Sequence, residues 1–234
     1  MLDVVTTSFY IKSPAFEKDE FTHYSTQLFD EWDSYVESHL NLPDYAVTLV
    51  VEEGSIKGLG KVAATAGALY IAIGNYGGFV SGVQAIREQA SYVTNALFDQ
   101  AKQRFGCGSV RGNSKQSGGE IYYLKNLFDR VQRGQLTSDQ AVAEIQDRWG
   151  QEVANSPELL RDLATSLDKA PRHPEQLPMS DEFWEPCEEV EEPVRQPKPR
   201  TPRRPELPIP QHYRIEIFRQ RKGGDKKVKL TKVK

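Results

Sequence analysis

The feature that most constrains the fold is a stretch without charged side chains, from Val62 to Ile86. These 25 residues are rich in Gly and Ala and have basic residues on both sides. The run is longer than the ~20 apolar residues that cross a bilayer. Its five glycines and Asn75 weaken such a span, since each Gly costs a helix about 1 kcal/mol relative to Ala. We therefore weigh a membrane-contacting helix against a helical hairpin in a soluble core that turns at residues 74–78.

Small residues recur along this run at the spacing of one helix face. If the whole run is helical, Gly74, Gly78 and Gly82 lie in line, and Ala66 extends the line backwards. A stripe of small residues lets another helix approach closely. The pattern predicts close helix packing at these four positions, against this chain, a second copy or a helix within a bilayer.

The first 56 residues predict a β-α-β unit. Residues 2–11 and 45–52 are rich in β-branched and aromatic types, which is typical of strands. Between them, apolar residues at spacings of 3 and 4 indicate one helix face after a start at Ser13 and Pro14. This order predicts two parallel strands with a right-handed crossover, or part of a small α+β sheet. Glu52 and Glu53 are expected to form a solvated strand end.

The region after the uncharged run predicts mainly helices. An amphipathic helix is expected to end near residue 105, and the five glycines of residues 106–119 indicate a flexible loop. Three short helices follow up to residue 168, and Thr137 and Gln140 fit a capping box. The predicted fold class is α+β, with the β-α-β unit, a Gly-rich helical hairpin and three or more amphipathic helices.

The C-terminal quarter differs from the rest in composition. Eleven of the 14 prolines fall between Pro171 and Pro210, which indicates a disordered linker. Alternating apolar residues and a turn at Gly223-Gly224 then predict a basic β-hairpin, which is marginal alone and is expected to dock on something. The predicted segments are residues 1–56, 57–105, 106–170, 171–211 and 212–234.

Charge is distributed unevenly along the chain. From Arg195 onwards there are 14 Lys/Arg and 3 Asp/Glu, a net +11, so the total of −3 leaves −14 for the rest. An acidic body with a basic tail indicates nucleic acid, anionic lipid or the protein's own acidic surface as the partner. The residues predicted to contact phosphate, lipid or a partner are Tyr213, Arg214, Phe218, Arg219, Arg221, Lys222, Lys226 and Lys227.

Catalytic and cofactor motifs are missing from the sequence. HExxH, GxSxG and GxxxxGK[ST] do not occur, and no metal or cofactor is expected. Cys107 and Cys187 form no pair pattern, which favours a reducing compartment and a location in the cytoplasm or at the cytoplasmic face of a membrane. An enzyme stays the third hypothesis, with Cys107 and His23 as the residues of interest.

Two non-catalytic functions rank first. The leading expectation is a protein that oligomerises or engages a membrane through residues 62–86, with its basic tail on anionic lipid or a partner. The alternative is a soluble adaptor whose Pro-rich arm and C-terminal hairpin bind a protein partner or nucleic acid. The arm carries a groove-binding pattern, PxxPx[R/K], at residues 199–204.

Overall fold

The computed structural model describes residues 1–13, 15–106, 112–172 and 212–233. These residues form seven helices and one six-stranded sheet, which confirms the α+β class. The elements in chain order are β1 (Leu2–Ile11), α1 (Lys18–His39), β2 (Ala46–Glu52), β3 (Ile56–Ala64), α2 (Ala66–Gly74), α3 (Phe79–Arg104), β4 (Gly112–Ser117), α4 (Gly119–Gln132), α5 (Ser138–Trp149), α6 (Gln151–Ala154), α7 (Pro157–Asp168), β5 (His212–Arg219) and β6 (Lys227–Val233).

All six strands belong to one sheet in the order β4-β1-β3-β2-β5-β6, and every neighbouring pair is antiparallel. β1 and β2 run in the same direction, but β3 lies between them and pairs with both. The two strands of the β-α-β unit are thus parallel to each other, as expected, but they are not neighbours in the sheet. The nine-residue strand β3 separates the other two strands.

The uncharged run is divided among three elements. Residues 62–64 complete β3, and Thr65 begins α2 by accepting a hydrogen bond from the Ala68 backbone N–H at 3.2 Å. α2 ends at Gly74 and α3 begins at Phe79. The chain thus turns between the two helices where the hairpin alternative places its turn.

The structure differs from expectation at the start of α1 and at Glu53, and the two differences are connected. The helix begins at Lys18 with Glu17 as its cap, four residues after the expected start. The Glu53 carboxylate accepts the Phe16 backbone N–H at 3.1 Å, so this N–H has a partner outside the helix. Glu53 is only 6% exposed, so the prediction of a solvated strand end is wrong for this residue.

Residues 112–117 form an edge strand within the segment expected to be a flexible loop. Their backbone pairs with residues 6–11 of β1, while all six residues remain exposed. The strand has no buried apolar residue, so hydrophobic alternation could not reveal it.

The hydrophobic core lies on one face of the sheet, beneath α1 and α3. Trp32 ties the two helices together, because its indole N–H donates to the Val93 carbonyl at 3.1 Å. Gly58 in β3 makes room for the core, since a Cβ there would lie 2.0 Å from the Phe9 ring. The predicted amphipathic helices α4, α5 and α7 extend this layer, and the Thr137–Gln140 capping box is present.

Candidate nucleic-acid interface on the sheet

The C-terminal hairpin is part of the central sheet. β5 pairs with β2 over residues 47–52, and β6 pairs with β5. Ile215 and Ile217 are fully buried on the side of the sheet that α1 covers. The docking expected for this hairpin therefore occurs within the chain.

Three of the predicted contact bases are paired with carboxylates of α1. The pairs are Arg219 with Asp33, Lys226 with Asp30 at 2.6 Å, and Lys222 with Glu37 at 4.0 Å. Tyr213 is half-buried on the same side, and its backbone N–H donates to the Glu53 carboxylate at 3.2 Å. These residues serve the docking of the hairpin.

The pair of Asp33 with Arg219 is the most buried of the three. Asp33 is 9% exposed, and burial raises its pKa from the ordinary 3.8 to about 6, against the opposing effect of Arg219. The Glu37 and Asp30 carboxylates raise the pKa further, and Lys226 lowers it. Burial likewise raises the pKa of the neighbouring Tyr45 to about 12. The ion pair with Arg219 thus only partly offsets the desolvation of the Asp33 carboxylate.

The opposite side of the sheet presents three rows of side chains, one residue from each strand in every row; we call these residues the outer face. Strand registers define them because cross-strand partners point to the same side. The first row is Ser117, Thr6, Lys61, Thr48, Phe218 and Lys227. The second is Lys115, Ser8, Leu59, Val50, Glu216 and Lys229. The third is Asn113, Tyr10, Lys57, Glu52, Arg214 and Thr231.

The outer face is open in the part of the chain that the structure describes. Its side chains are exposed or half-buried, apart from Val50 at 9% exposure, whereas the alternate residues of β1, β2, β3 and β5 fill the core. Leu59 is 41% exposed on β3 near the middle of the sheet, and Tyr10 is 42% exposed on β1, next to the edge strand β4. An apolar centre is therefore accessible within a polar surround.

The charge of the outer face is opposite to that of the whole chain. Its three rows hold six Lys/Arg and two Glu, a formal +4, whereas the chain as a whole carries −3. Two of the bases are paired, Arg214 with Glu52 at 3.5 Å and Lys61 with the neighbouring Asp3 at 2.7 Å. The other four make no ion pair with any described residue, and these are Lys57, Lys115, Lys227 and Lys229.

The sequence identified only part of this surface. Of the predicted contact residues, Arg214, Phe218 and Lys227 lie on the outer face, and Arg221 is exposed after the end of β5. It missed Lys57 and Lys115, which the sheet brings close to Tyr10 from β3 and β4. The alternation of Lys57, Leu59 and Lys61 was an available signal, since residues two apart in a strand share a face.

The predicted helix-packing residues do not form one helix face, because the chain turns between α2 and α3. Gly82 is buried in α3, and a Cβ there would lie 2.2 Å from the Ile73 carbonyl oxygen. Ala66 is buried in the first turn of α2. Gly74 and Gly78 are exposed beside the turn.

The residues of the enzyme hypothesis are not brought together where the structure describes them. Cys107 and Cys187 lie outside the described residues, as does the groove-binding motif at residues 199–204. His23 is exposed on α1, and the His39 ring stacks on Tyr35. The described residues contain no group of three His, Cys, Asp or Glu that would hold a metal.

No helix among the described residues has the length and apolar character needed to cross a membrane. No protein-family model, curated protein or solved structure matches the chain. The geometry of the sheet and its charges are thus the grounds on which a function can be proposed.

Proposed function

We propose that this protein binds nucleic acid on the outer face of its sheet. The observation that supports the proposal is an open face of formal charge +4 on a chain of net charge −3. Four of its lysines make no ion pair with any described residue, and such lysines attract phosphates and release counterions on contact. This proposal is a form of the adaptor hypothesis from the sequence analysis. That hypothesis placed the contact on the Pro-rich arm and the C-terminal hairpin, whereas the proposed contact surface is the whole outer face.

The positions of the unpaired lysines favour an extended polyanion. Lys115 lies on one edge strand, Lys227 and Lys229 lie on the other, and Lys57 lies between them. Strands are about 4.8 Å apart, so the six strands span about 24 Å from edge to edge. A chain of several phosphates crossing the sheet can therefore contact lysines at both edges and on β3 between them.

The apolar centre favours nucleic acid over a bilayer surface. Tyr10, Leu59 and Phe218 lie between the basic margins, where nucleobases can contact them while phosphates contact lysine. A lipid surface would need apolar side chains that project beyond the charged ones, and this face instead has lysines at both margins.

The test is binding of the full chain to a fluorescein-labelled oligothymidylate of about 20 nucleotides, followed by fluorescence anisotropy at several salt concentrations. We expect binding that weakens steeply with salt. The double variant Lys57→Glu/Lys229→Glu should bind at least about tenfold more weakly, because two phosphate contacts become repulsive. An assay with vesicles of phosphatidylserine and phosphatidylcholine serves as the lipid comparison.

The matched control is Lys18→Glu/Lys169→Glu, which changes net charge equally at exposed positions of α1 and the α7 terminus. It should retain oligonucleotide binding. If both double variants weakened oligonucleotide binding equally, the loss would come from the change in net charge alone, and the proposal would be contradicted. If the protein bound the vesicles but not the oligonucleotide, the ligand of the outer face would be anionic lipid and not nucleic acid.

A second candidate function is self-association at the α2–α3 turn, and two exposed apolar side chains favour it. Ile71 is 56% exposed and Val80 is 40% exposed, one on each side of the turn. Light scattering after gel filtration tests this candidate. The full chain should be oligomeric, and the double variant Ile71→Ser/Val80→Ser should be monomeric. A monomeric wild type would contradict self-association. The same variant in the vesicle assay tests membrane contact.

A further inference from the structure

We infer that a hollow around Tyr10 is a nucleobase-stacking subsite, which makes the ligand of the outer face a single strand rather than a duplex. This inference rests on the proposed nucleic-acid binding and specifies its substrate class. The hollow has a volume of about 330 Å³ and lies across β4, β1 and β3. Its lining includes Ser8, Tyr10, Lys57, Asn113 and Lys115.

Tyr10 has the position that a stacking platform requires. It is 42% exposed, whereas Phe218, the other aromatic residue of the outer face, is half-buried on β5. Its cross-strand partners are Lys57 on one side and Asn113 on the other. Neither partner is aromatic, so neither stacks on the face of the Tyr10 ring. A planar base can therefore lie against the tyrosine ring.

Two cations lie beside the same ring. Lys57 is directly opposite Tyr10, and Lys115 is its diagonal neighbour through the pairing of Ser8 with Lys115. Diagonal neighbours in a sheet lie about 7–8 Å apart, within reach of a long side chain. Neither lysine has an ion pair among the described residues. The phosphates on each side of a stacked base thus find a free cation.

Asn113 and Ser8 add neutral polar groups to the hollow. The Asn113 amide offers donors and an acceptor, and the Ser8 hydroxyl offers one donor and acceptor sites. Groups of this kind can bind the edge of an unpaired base without requiring one particular base. The subsite is therefore expected to tolerate several sequences.

The hollow around Tyr10 should distinguish single-stranded nucleic acid from a duplex. In a duplex the bases are stacked on each other and paired, so a tyrosine on a sheet cannot reach their faces without unpairing them. Phosphate contacts to the lysines remain available to a duplex, but stacking on Tyr10 does not. The full chain should therefore bind a single strand more tightly than a duplex of the same length.

The test compares labelled oligothymidylate with a labelled duplex of equal length, for the full-length wild type, Tyr10→Leu and Tyr10→Phe. Leucine keeps an apolar side chain but removes the ring, and we expect about five- to hundredfold weaker single-strand binding, the range of one lost stacking contact. Phenylalanine should retain the wild-type affinity. Duplex binding should be nearly the same for all three proteins. Thermal melting by circular dichroism checks that Tyr10→Leu is folded.

The outcomes separate the two proposals. If the wild type binds neither probe, nucleic-acid binding and the subsite both fail. If it binds both probes equally and Tyr10→Leu binds as tightly as the wild type, the outer face binds nucleic acid and the Tyr10 subsite is overturned. If Tyr10→Leu weakens both probes alike, the ring acts on the fold of the face, which also overturns the subsite.

Discussion

Arg219 at the end of β5 donates a hydrogen bond to the Asp33 carboxylate in the middle of α1. The two residues are 186 positions apart in the chain, and each side chain is only 12% exposed. Breaking a buried pair by removing one partner is usually costly. Here the raised pKa of Asp33 shows that its burial outweighs the attraction to Arg219. The contact therefore positions the hairpin without being a strong source of stability at neutral pH.

The pH dependence of Asp33→Asn tests this balance. The folded-state pKa of about 6 lies above the ordinary 3.8, so the folded protein binds more protons in that interval. The stability that Asp33 contributes is thus fully present below pH 3.8 and lost as the pH rises through about 6, by about 3 kcal/mol at most. Asparagine does not titrate, so the variant should gain stability relative to wild type between pH 4.5 and 7, measured by urea unfolding.

The control is Asp30→Asn, because the Asp30 side chain is 54% exposed and bonded to Lys226 at the surface. Because the Asp30 carboxylate raises the pKa of Asp33, this variant keeps a titrating Asp33 and should gain less stability over the same pH interval than Asp33→Asn does. If Asp33→Asn instead lost stability relative to wild type as the pH rose, the ion pair with Arg219 would dominate over burial.

Glu53 joins three parts of the chain, and its removal should loosen the hairpin. Its two carboxylate oxygens accept the backbone N–H groups of Phe16 and Tyr213. Glu53→Ala leaves both donors without this acceptor, and we expect a loss of about 1–3 kcal/mol in the free energy of unfolding. Glu53→Gln keeps one amide oxygen and should lose less.

Hydrogen exchange identifies where this loss acts. The Tyr213 amide should exchange faster in Glu53→Ala than in wild type, while the Val93 amide in the middle of α3 should change only with global stability. Unchanged exchange at Tyr213 together with an unchanged urea midpoint would show that the carboxylate is dispensable for docking.

The fold class and most elements were readable from local patterns. The strand at residues 2–11, the capping box at Thr137 and the last short helix before residue 168 depend on neighbouring residues alone, and the structure contains all three. β4 was missed because its residues, GNSKQS, bury nothing, and a strand of exposed polar residues has no period in hydrophobicity. Its place in the sheet depends on backbone pairing with β1, which is a tertiary property.

The sequence predicted only some residues of the candidate site, because the order of the strands in the sheet determines which residues lie together. The basic composition of the hairpin pointed to residues such as Lys227, but Arg219 carries the same charge and is used in the core with Asp33. Composition cannot separate these two roles, since the face of a strand on which a residue lies is fixed by register. The approach of Lys57 and Lys115 to Tyr10 requires β3 and β4 on opposite sides of β1.

Two glycines of the predicted stripe should respond differently to alanine. A Cβ at Gly82 would lie 2.2 Å from the Ile73 carbonyl oxygen, and a backbone atom cannot move aside as a side chain can. Gly82→Ala should therefore destabilise the protein by about 1–3 kcal/mol. Gly74 has no atom within 4 Å of its hypothetical Cβ, so Gly74→Ala should be neutral or stabilising by up to about 1 kcal/mol. Urea unfolding compares them, and equal losses would contradict the contact at Gly82.

The salt dependence of oligonucleotide binding should count the lysines of the outer face that contact phosphate. For a single strand, the logarithm of affinity falls with the logarithm of salt by about 0.7 for each phosphate neutralised. Lys57→Gln and Lys229→Gln should each reduce this slope by about 0.7. Lys61→Gln should reduce it less, because Lys61 is already paired with Asp3, and Lys169→Gln should leave it unchanged. Identical slopes for all four variants would mean that the strand does not follow the unpaired lysines across the sheet.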